Sequence, residues 1–270
     1  MRPRKPLQLI RISRDPEING MQRIETTSVF GASGATGQRL LEQLLLRGQN
    51  VKAIVRSPQS LPKPLREAPR LSLIRASISE LSDSEIARHA EGCDAVASCL
   101  GHNLTFKGLF GRPRRLVTDA TRRLCKVIQL SHPESPIKFV LMNTTGNRNR
   151  DLNEPISFAQ KCVIGLLRLL LPPHADNEEA ADYLRTNVGQ NDRIIEWVAV
   201  RPDGLVDHDS VSEYELHASP TRSAIFDAGK TSRINVDHFM SHLITDEKIW
   251  RQWKGQMPVI YNKASQEARK

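Results

Sequence analysis

The 270 residues suffice for one large α/β domain or two small ones, and a formal net charge of +9, from 39 basic against 30 acidic residues, raises nucleic-acid binding as a first idea. Aromatic residues make up only 5% of the chain, which leaves little base-stacking surface and argues against it. Cys93, Cys99, Cys125 and Cys162 stand far apart with no CxxC pair, which points to a reducing, cytoplasmic compartment; the longest apolar stretch, Cys162 to Leu171, is broken by Arg168 and falls short of the about 20 residues a bilayer span needs, which argues against an integral membrane protein.

Residues 1–24 form a basic N-terminal extension without clear periodicity. Its first 20 residues hold five basic residues against two acidic ones. The pattern that follows requires nothing before about Glu25, so the extension is expected to be disordered or not native, with Met21 as an alternative start and an Arg-rich transit peptide as another reading. A short apolar strand then runs from Thr27 to Phe30 into Gly31-Ala32-Ser33-Gly34-Ala35-Thr36-Gly37 and an amphipathic helix that continues to Leu46. In this strand–turn–helix setting Gly31 permits the tight turn, Gly34 bares the backbone to a pyrophosphate and Gly37 lets the helix approach the sheet; the helix N-terminus adds unpaired N–H groups. Val51–Arg56 reads as the second strand, and Pro58, Pro62, Pro64 and Pro69 mark a loop. Leu71–Ala76 reads as the third strand, Ser79–Glu91 as a capped helix and Asp94–Leu100 as the fourth strand.

Apolar residues at helical spacing from Leu116 to Ile128 predict a helix over 112–130, followed by a strand over 138–142. Residues 155–171 and 174–188 read as two helices separated by Pro172-Pro173, and Trp197–Val200 as the sixth strand. Beyond it the pattern is less regular, with short helices at 236–245 and 247–254 and a closing strand at 259–261. The alternation predicts an α/β fold, a Rossmann-like doubly wound parallel sheet over residues 25–262 with a small C-terminal substrate-side region and a polar tail over 263–270. A cofactor then lies at the carboxyl ends of the strands.

The cradle supplies Gly31, Ser33, Gly34, Ala35, Thr36 and Gly37 as cofactor-binding candidates. Between Gly31 and Arg56 the one carboxylate is Glu42, inside the first helix. The second strand therefore ends in Arg56-Ser57 where an NAD site would place an acid, and this predicts NADP(H), with Arg56 and Ser57 at the 2′-phosphate. The fourth strand ends in Leu100, Gly101, His102 and Asn103, the fifth in Asn143, Thr144, Thr145 and Gly146. Both loops open on one sheet edge. Leu100, Gly101 and Asn103 are candidate cofactor contacts, and His102, Asn143, Thr144 and Thr145 candidate catalytic residues.

Three other features have plainer readings. The apolar helix from Phe158 to Leu171 fits core packing better than a lid or a homodimer face. His238 and His242 have metal-ligand spacing without a third ligand, so no metal is expected. Arg112, Arg114, Arg115, Arg122 and Arg123, with Arg148 and Arg150, read as a solvated basic face.

The glycine run, the Val55-Arg56 and Ser98–Gly101 strand ends, the Val200-Arg201-Pro202-Asp203-Gly204-Leu205 strand, and Gly229–Arg233 followed by Asn235-Val236-Asp237 together resemble the NmrA-like group of atypical short-chain dehydrogenases/reductases, over roughly residues 25–262. The resemblance implies an NADP-binding Rossmann core with a small substrate-side region. Typical members of the wider superfamily carry Tyr-x-x-x-Lys after the fifth strand. Here Tyr183, Tyr214 and Tyr261 are followed four residues later by Asn187, Ala218 and Ser265, and the expected tyrosine and lysine positions fall near Pro173 and Asn177. Two functions follow as expectations. One is an NADPH-dependent oxidoreductase acting on a small molecule, with its proton from solvent, His102 or His174; the other is a non-catalytic NADP(H) sensor acting through protein contacts.

Overall fold

The computed structural model describes residues 25–102, 111, 113–154 and 156–263. Strands β1 (Thr26–Phe30), β2 (Asn50–Val55), β3 (Leu71–Arg75), β4 (Ala95–Ser98), β5 (Ile137–Met142) and β6 (Ile195–Pro202) lie parallel in the order β3-β2-β1-β4-β5-β6. β10 (Val259–Asn262) continues the sheet parallel to β6, and β8 (Tyr214–His217) closes it antiparallel to β10. The order reverses between β1 and β4. A doubly wound sheet opens its ligand crevice at that point.

Successive residues of each strand face opposite layers. Val29, Ala53, Ala97 and Val198 pack in one layer with Leu40, Leu41 and Leu44 of α1 (Ala35–Leu46), Leu65 of the single-turn α2 (Lys63–Arg66) and Phe239, Met240 and Leu243 of α7 (Arg233–Thr245). Phe30, Val96, Phe139 and Ala199 pack on the other side against Ile86 of α3 (Asp83–Ala90), Leu124 and Ile128 of α4 (Leu116–Ser131) and Ala180 of α6 (Pro172–Tyr183). Each fully buried Leu, Ile or Phe contributes about 1.5–3 kcal/mol by leaving water, so the two layers supply most of what holds the sheet edge in place.

Several boundaries differ from those expected. The third-strand crossover helix begins at Asp83, because Ser82 closes a capping box with Glu85. Pro172 and Pro173 do not separate two helices; they open α6, where a missing N–H costs nothing, and α5 (Phe158–Leu170) ends just before them. The segment after β6 also holds more strand than its pattern indicated. β7 (Gly204–Val206) pairs with β9 (Lys230–Ser232), and β8 follows between them in the chain. A final helix, α8 (Glu247–Trp253), leads into β10.

Candidate functional site

Gly31 turns the chain out of β1 at a φ of +78°, and a Cβ there would lie 2.7 Å from the Cys99 carbonyl at the end of β4. A Cβ on Gly37 would lie 2.3 Å from the Gly31 oxygen, so only hydrogen fits between α1 and the turn. Gly34 differs: its nearest neighbour would be 3.4 Å away, the Gly31 oxygen, and Gly34 itself donates to that oxygen at 3.1 Å. Gly31 and Gly37 are thus required by the protein's own packing. Gly34 leaves open backbone at the N-terminus of α1, which has no side-chain cap and no acidic residue in its first turn. Thr36 and Gly37 are buried in that first turn, beside Ala35. Such an end is a ready anion site.

A cleft of about 210 Å³ runs from this turn across the switch point, lined by Gly31, Ser33, Gly34, Arg56, Leu100 and Gly101. Arg56 stands exposed at its β2 side. Ser57 is exposed too and donates to Gln59 at 3.2 Å, outside the cleft lining. Among the described residues none lies within 4 Å of where a Gly101 side chain would begin. Asn103 lies outside the described residues, as does Arg112. The residues present fit a dinucleotide: a bare turn, an uncapped helix end, and an arginine in place of an acid at β2.

The loop after β5 forms the next part. Asn143 donates to the Asn177 carbonyl at 3.0 Å, and its oxygen accepts from Thr144 N at 2.8 Å and from the Asn147 amide, so this side chain is consumed in shaping the loop. Thr145 is buried, its N–H bonded to the Pro202 carbonyl at 3.0 Å. Thr144 Oγ1 accepts from Gly146 N at 3.3 Å and lies 3.7 Å from where a Gly146 Cβ would be; His174 Cε1 lies 3.2 Å from the same point. Thr144 and His174 therefore meet around Gly146. His174 sits in the first turn of α6, one residue past Pro173, and Asn177 follows three residues later. Its Nε2 is buried without a hydrogen-bond partner among the described residues, and burial pushes the imidazole below its ordinary 6.5, so it is neutral at pH 7.

His102 is turned elsewhere. Its Nε2 lies 2.7 Å from Asp176 Oδ2, and the same carboxylate accepts from Val117 N and Thr118 N at 2.8 Å, closing the N-terminus of α4. Burial drives the Asp176 carboxyl up, but the donors of His102, Thr118 and Val117 more than reverse this and hold it below 3.8. The structure thus brings Thr144, Thr145 and His174 together and commits His102 and Asn143 to neighbouring backbone and side chains.

Two motifs do structural work. Arg201 is fully buried and donates from Nε to the Met257 carbonyl, from Nη1 to the Asn147 carbonyl and Glu154, and from Nη2 to Glu154 and the Ala218 carbonyl, at 2.7–3.1 Å. Asp203 accepts from Gly229 N at 2.7 Å and Gly204 N at 3.0 Å, tying β7 to the start of β9. His238 and His242 belong to a buried chain, with Tyr214 Oη 2.9 Å from His238 Nδ1, 3.2 Å between the two Nε2 atoms, and Arg47 Nη2 3.0 Å from His242. The basic run is largely matched within the fold: Arg123 binds Asp83, Arg115 binds Glu179, Arg150 binds Glu178 and Asp182, and Arg122 lies over the Tyr183 ring. On α5, Phe158 is 81% exposed, and Leu166 and Leu170 are exposed as well, while Ile164 is buried; core packing therefore describes Ile164 but not the outer residues. Among the described residues no helix is long and apolar enough to cross a membrane.

Fold and cleft together define an NAD(P)-binding Rossmann protein. The sequence profile of the NAD(P)H-binding family matches residues 31–247, and the chain belongs to that family. An uncharacterised chloroplastic protein of Arabidopsis thaliana is 42% identical over 80 residues; the matched stretch spans 29% of this chain and 29% of that protein. Among solved structures, a short-chain dehydrogenase/reductase of Veillonella parvula in complex with NADP is similar at a TM-score of 0.65 and 14% identity, over 90% of this chain and 96% of that one. An anaerobillin reductase of Escherichia coli O157:H7 is similar at 0.62 and 16% identity, over 89% and 98%.

Proposed function

We propose that the protein is an NADPH-dependent oxidoreductase of the atypical, NmrA-like short-chain type, working without a Tyr-x-x-x-Lys pair. The observation that carries this reading is the uncapped end of α1 opposite Arg56: a cradle for phosphates with a cation, and no carboxylate among the described lining residues, on the ribose side. The similarity to a reductase and to an NADP complex supports it. Reduced nicotinamide, when bound, supplies the hydride. The chain's own residues bind and orient: Gly34 bares backbone to the diphosphate in a turn held by Gly31 and Gly37, Leu100 and Gly101 bound the cleft toward β4, and Thr144 with His174 stands at the β5 end, where a carbonyl oxygen needs a hydrogen bond and then a proton. A neutral His174 serves as hydrogen-bond partner, with the proton drawn from solvent through it. Free cysteines at all four positions favour a cytoplasmic setting.

Parallel fluorescence titration with NADPH and NADH, followed by NADPH oxidation over quinones, flavins and carbonyl compounds, tests the reading. Tight NADPH binding, weak NADH binding and steady turnover are expected. Stoichiometric binding without turnover on any acceptor would instead favour the sensor.

A further inference from the structure

Beside the Thr144–Gly146 loop lies a second cavity of about 180 Å³, separate in its lining from the dinucleotide cleft. Thr145 and Gly146 are part of its lining, and Gly146 is the residue against which Thr144 and His174 pack. Ile156 and Ile164 give it an apolar wall, and Arg148, Glu154 and Arg222 are its charged lining. The charges do not cancel. Glu154 is committed to the buried Arg201 and to Asn149 N, and Arg222 to Asp227 at 3.0 Å. Arg148 forms no ion pair among the described residues, and its Nε is buried without an acceptor. A buried guanidinium N–H left unmet costs the desolvation of a charged donor, on the order of 1–3 kcal/mol or more, and since no described residue accepts from any part of the Arg148 guanidinium, its terminal amino groups are the ones left for a ligand in the cavity.

We propose that this cavity takes the carboxylate end of the substrate, with Arg148 as the residue that selects for it, so that the substrate class is a small carbonyl compound bearing a carboxylate. Deepening the oxidoreductase reading, this assigns a direction to the substrate: the anion on Arg148, an apolar link along Ile156 and Ile164, and the carbonyl toward Thr144 and His174. A forked planar donor suits a carboxylate, and the apolar wall strengthens the pairing by lowering the local dielectric.

The test is calorimetric binding of acid and methyl-ester pairs (pyruvate, 4-oxobutanoate and 4-oxopentanoate, each with its ester) to the full chain, with and without NADP⁺. The wild type is expected to bind at least one acid about 10-fold or more tighter than its ester, the scale of a lost charge-assisted bond. Arg148→Gln should erase that ratio, Arg148→Lys should keep part of it, and Arg222→Gln should keep most. Equal binding of acid and ester by the wild type, no binding by any acid, a preference surviving in Arg148→Gln, or one lost instead in Arg222→Gln would each overturn the proposal. Should Arg148→Gln not fold, the wild-type ratio and Arg148→Lys still decide. Acid-selective binding without NADPH oxidation would leave the carboxylate site at Arg148 standing and remove the oxidoreductase reading with its carbonyl substrate; turnover without acid selectivity would keep that reading and overturn the site.

Discussion

Arg201 and Glu154 form a bidentate pair at 2.7 and 3.1 Å in which the arginine is 0% exposed and all five of its N–H groups meet an acceptor. The pair joins β6 to the loop after β5, and through the Met257 and Ala218 carbonyls to the segments that flank β10 and β8. Removing one partner strands the other charge in the interior. Glu154→Ala or Arg201→Ala is expected to cost about 3–5 kcal/mol, read from urea unfolding midpoints.

Gly34 and Gly37 should separate cofactor binding from stability. Gly37→Ala forces a methyl to 2.3 Å from a backbone oxygen and is expected to destabilise the fold by about 1–3 kcal/mol as well as weaken NADPH. Gly34→Ala meets nothing closer than 3.4 Å, so thermal unfolding should shift little while NADPH affinity falls, as fluorescence titration would show.

Arg56→Glu should invert the preference at the ribose. Losing a charge-assisted bond of about 1.5–3 kcal/mol lowers NADPH affinity by about 10- to 100-fold, with NADH affinity held or improved. An unchanged NADPH/NADH ratio would remove Arg56 from the site.

His174 carries a pH signature. Its folded pKa lies below its ordinary 6.5, so the unfolded chain binds the extra proton first as pH falls, and stability declines below about pH 6.5. His174→Phe should flatten that decline in urea titrations at pH 5 and 7 and reduce carbonyl turnover.

Asp237 predicts the opposite slope. It is fully buried in α7, neither of its carboxylate oxygens has a hydrogen-bond partner among the described residues, and burial pushes its pKa well above 3.8. The folded state therefore holds a proton that the unfolded chain releases, and stability drops as pH rises from about 4 toward neutrality. Asp237→Asn should remove this dependence, measured between pH 5 and 8.

The cradle was readable because most of its demands are local: the positive φ at Gly31 and the constraints on Gly34 and Gly37 are set within seven residues of chain, whereas the approach of the Cys99 carbonyl to Gly31 comes from a distant strand. Arg56 followed from spacing within the same unit. The partnership of Arg201 with Glu154 spans 47 residues and that of His102 with Asp176 spans 74, and neither leaves a periodic trace. A basic residue in a strand ordinarily reads as exposed, so nothing in Val200-Arg201-Pro202 announces a buried one. β8 was missed because Tyr214–His217 gives only two inward positions, Tyr214 and Leu216, too few for an alternation to register. His174 was legible both as a proton source and as the start of a helix; what the sequence did not give is its meeting with Thr144 around Gly146, because that contact joins segments 30 residues apart.

β10 lies inside the sheet, with β6 on one side and β8 on the other, although it is the last strand described. During synthesis the nucleotide-binding half completes its core only once α7 has emerged, and β6 still waits for its neighbour after that. Until Asn262 has left the ribosome, β6 and β8 are two raw edges, open to any extended chain nearby. Premature termination between Trp253 and Val259 would therefore leave the cradle and the α7 that covers it in place, with β6 and β8 exposed as an unfinished border.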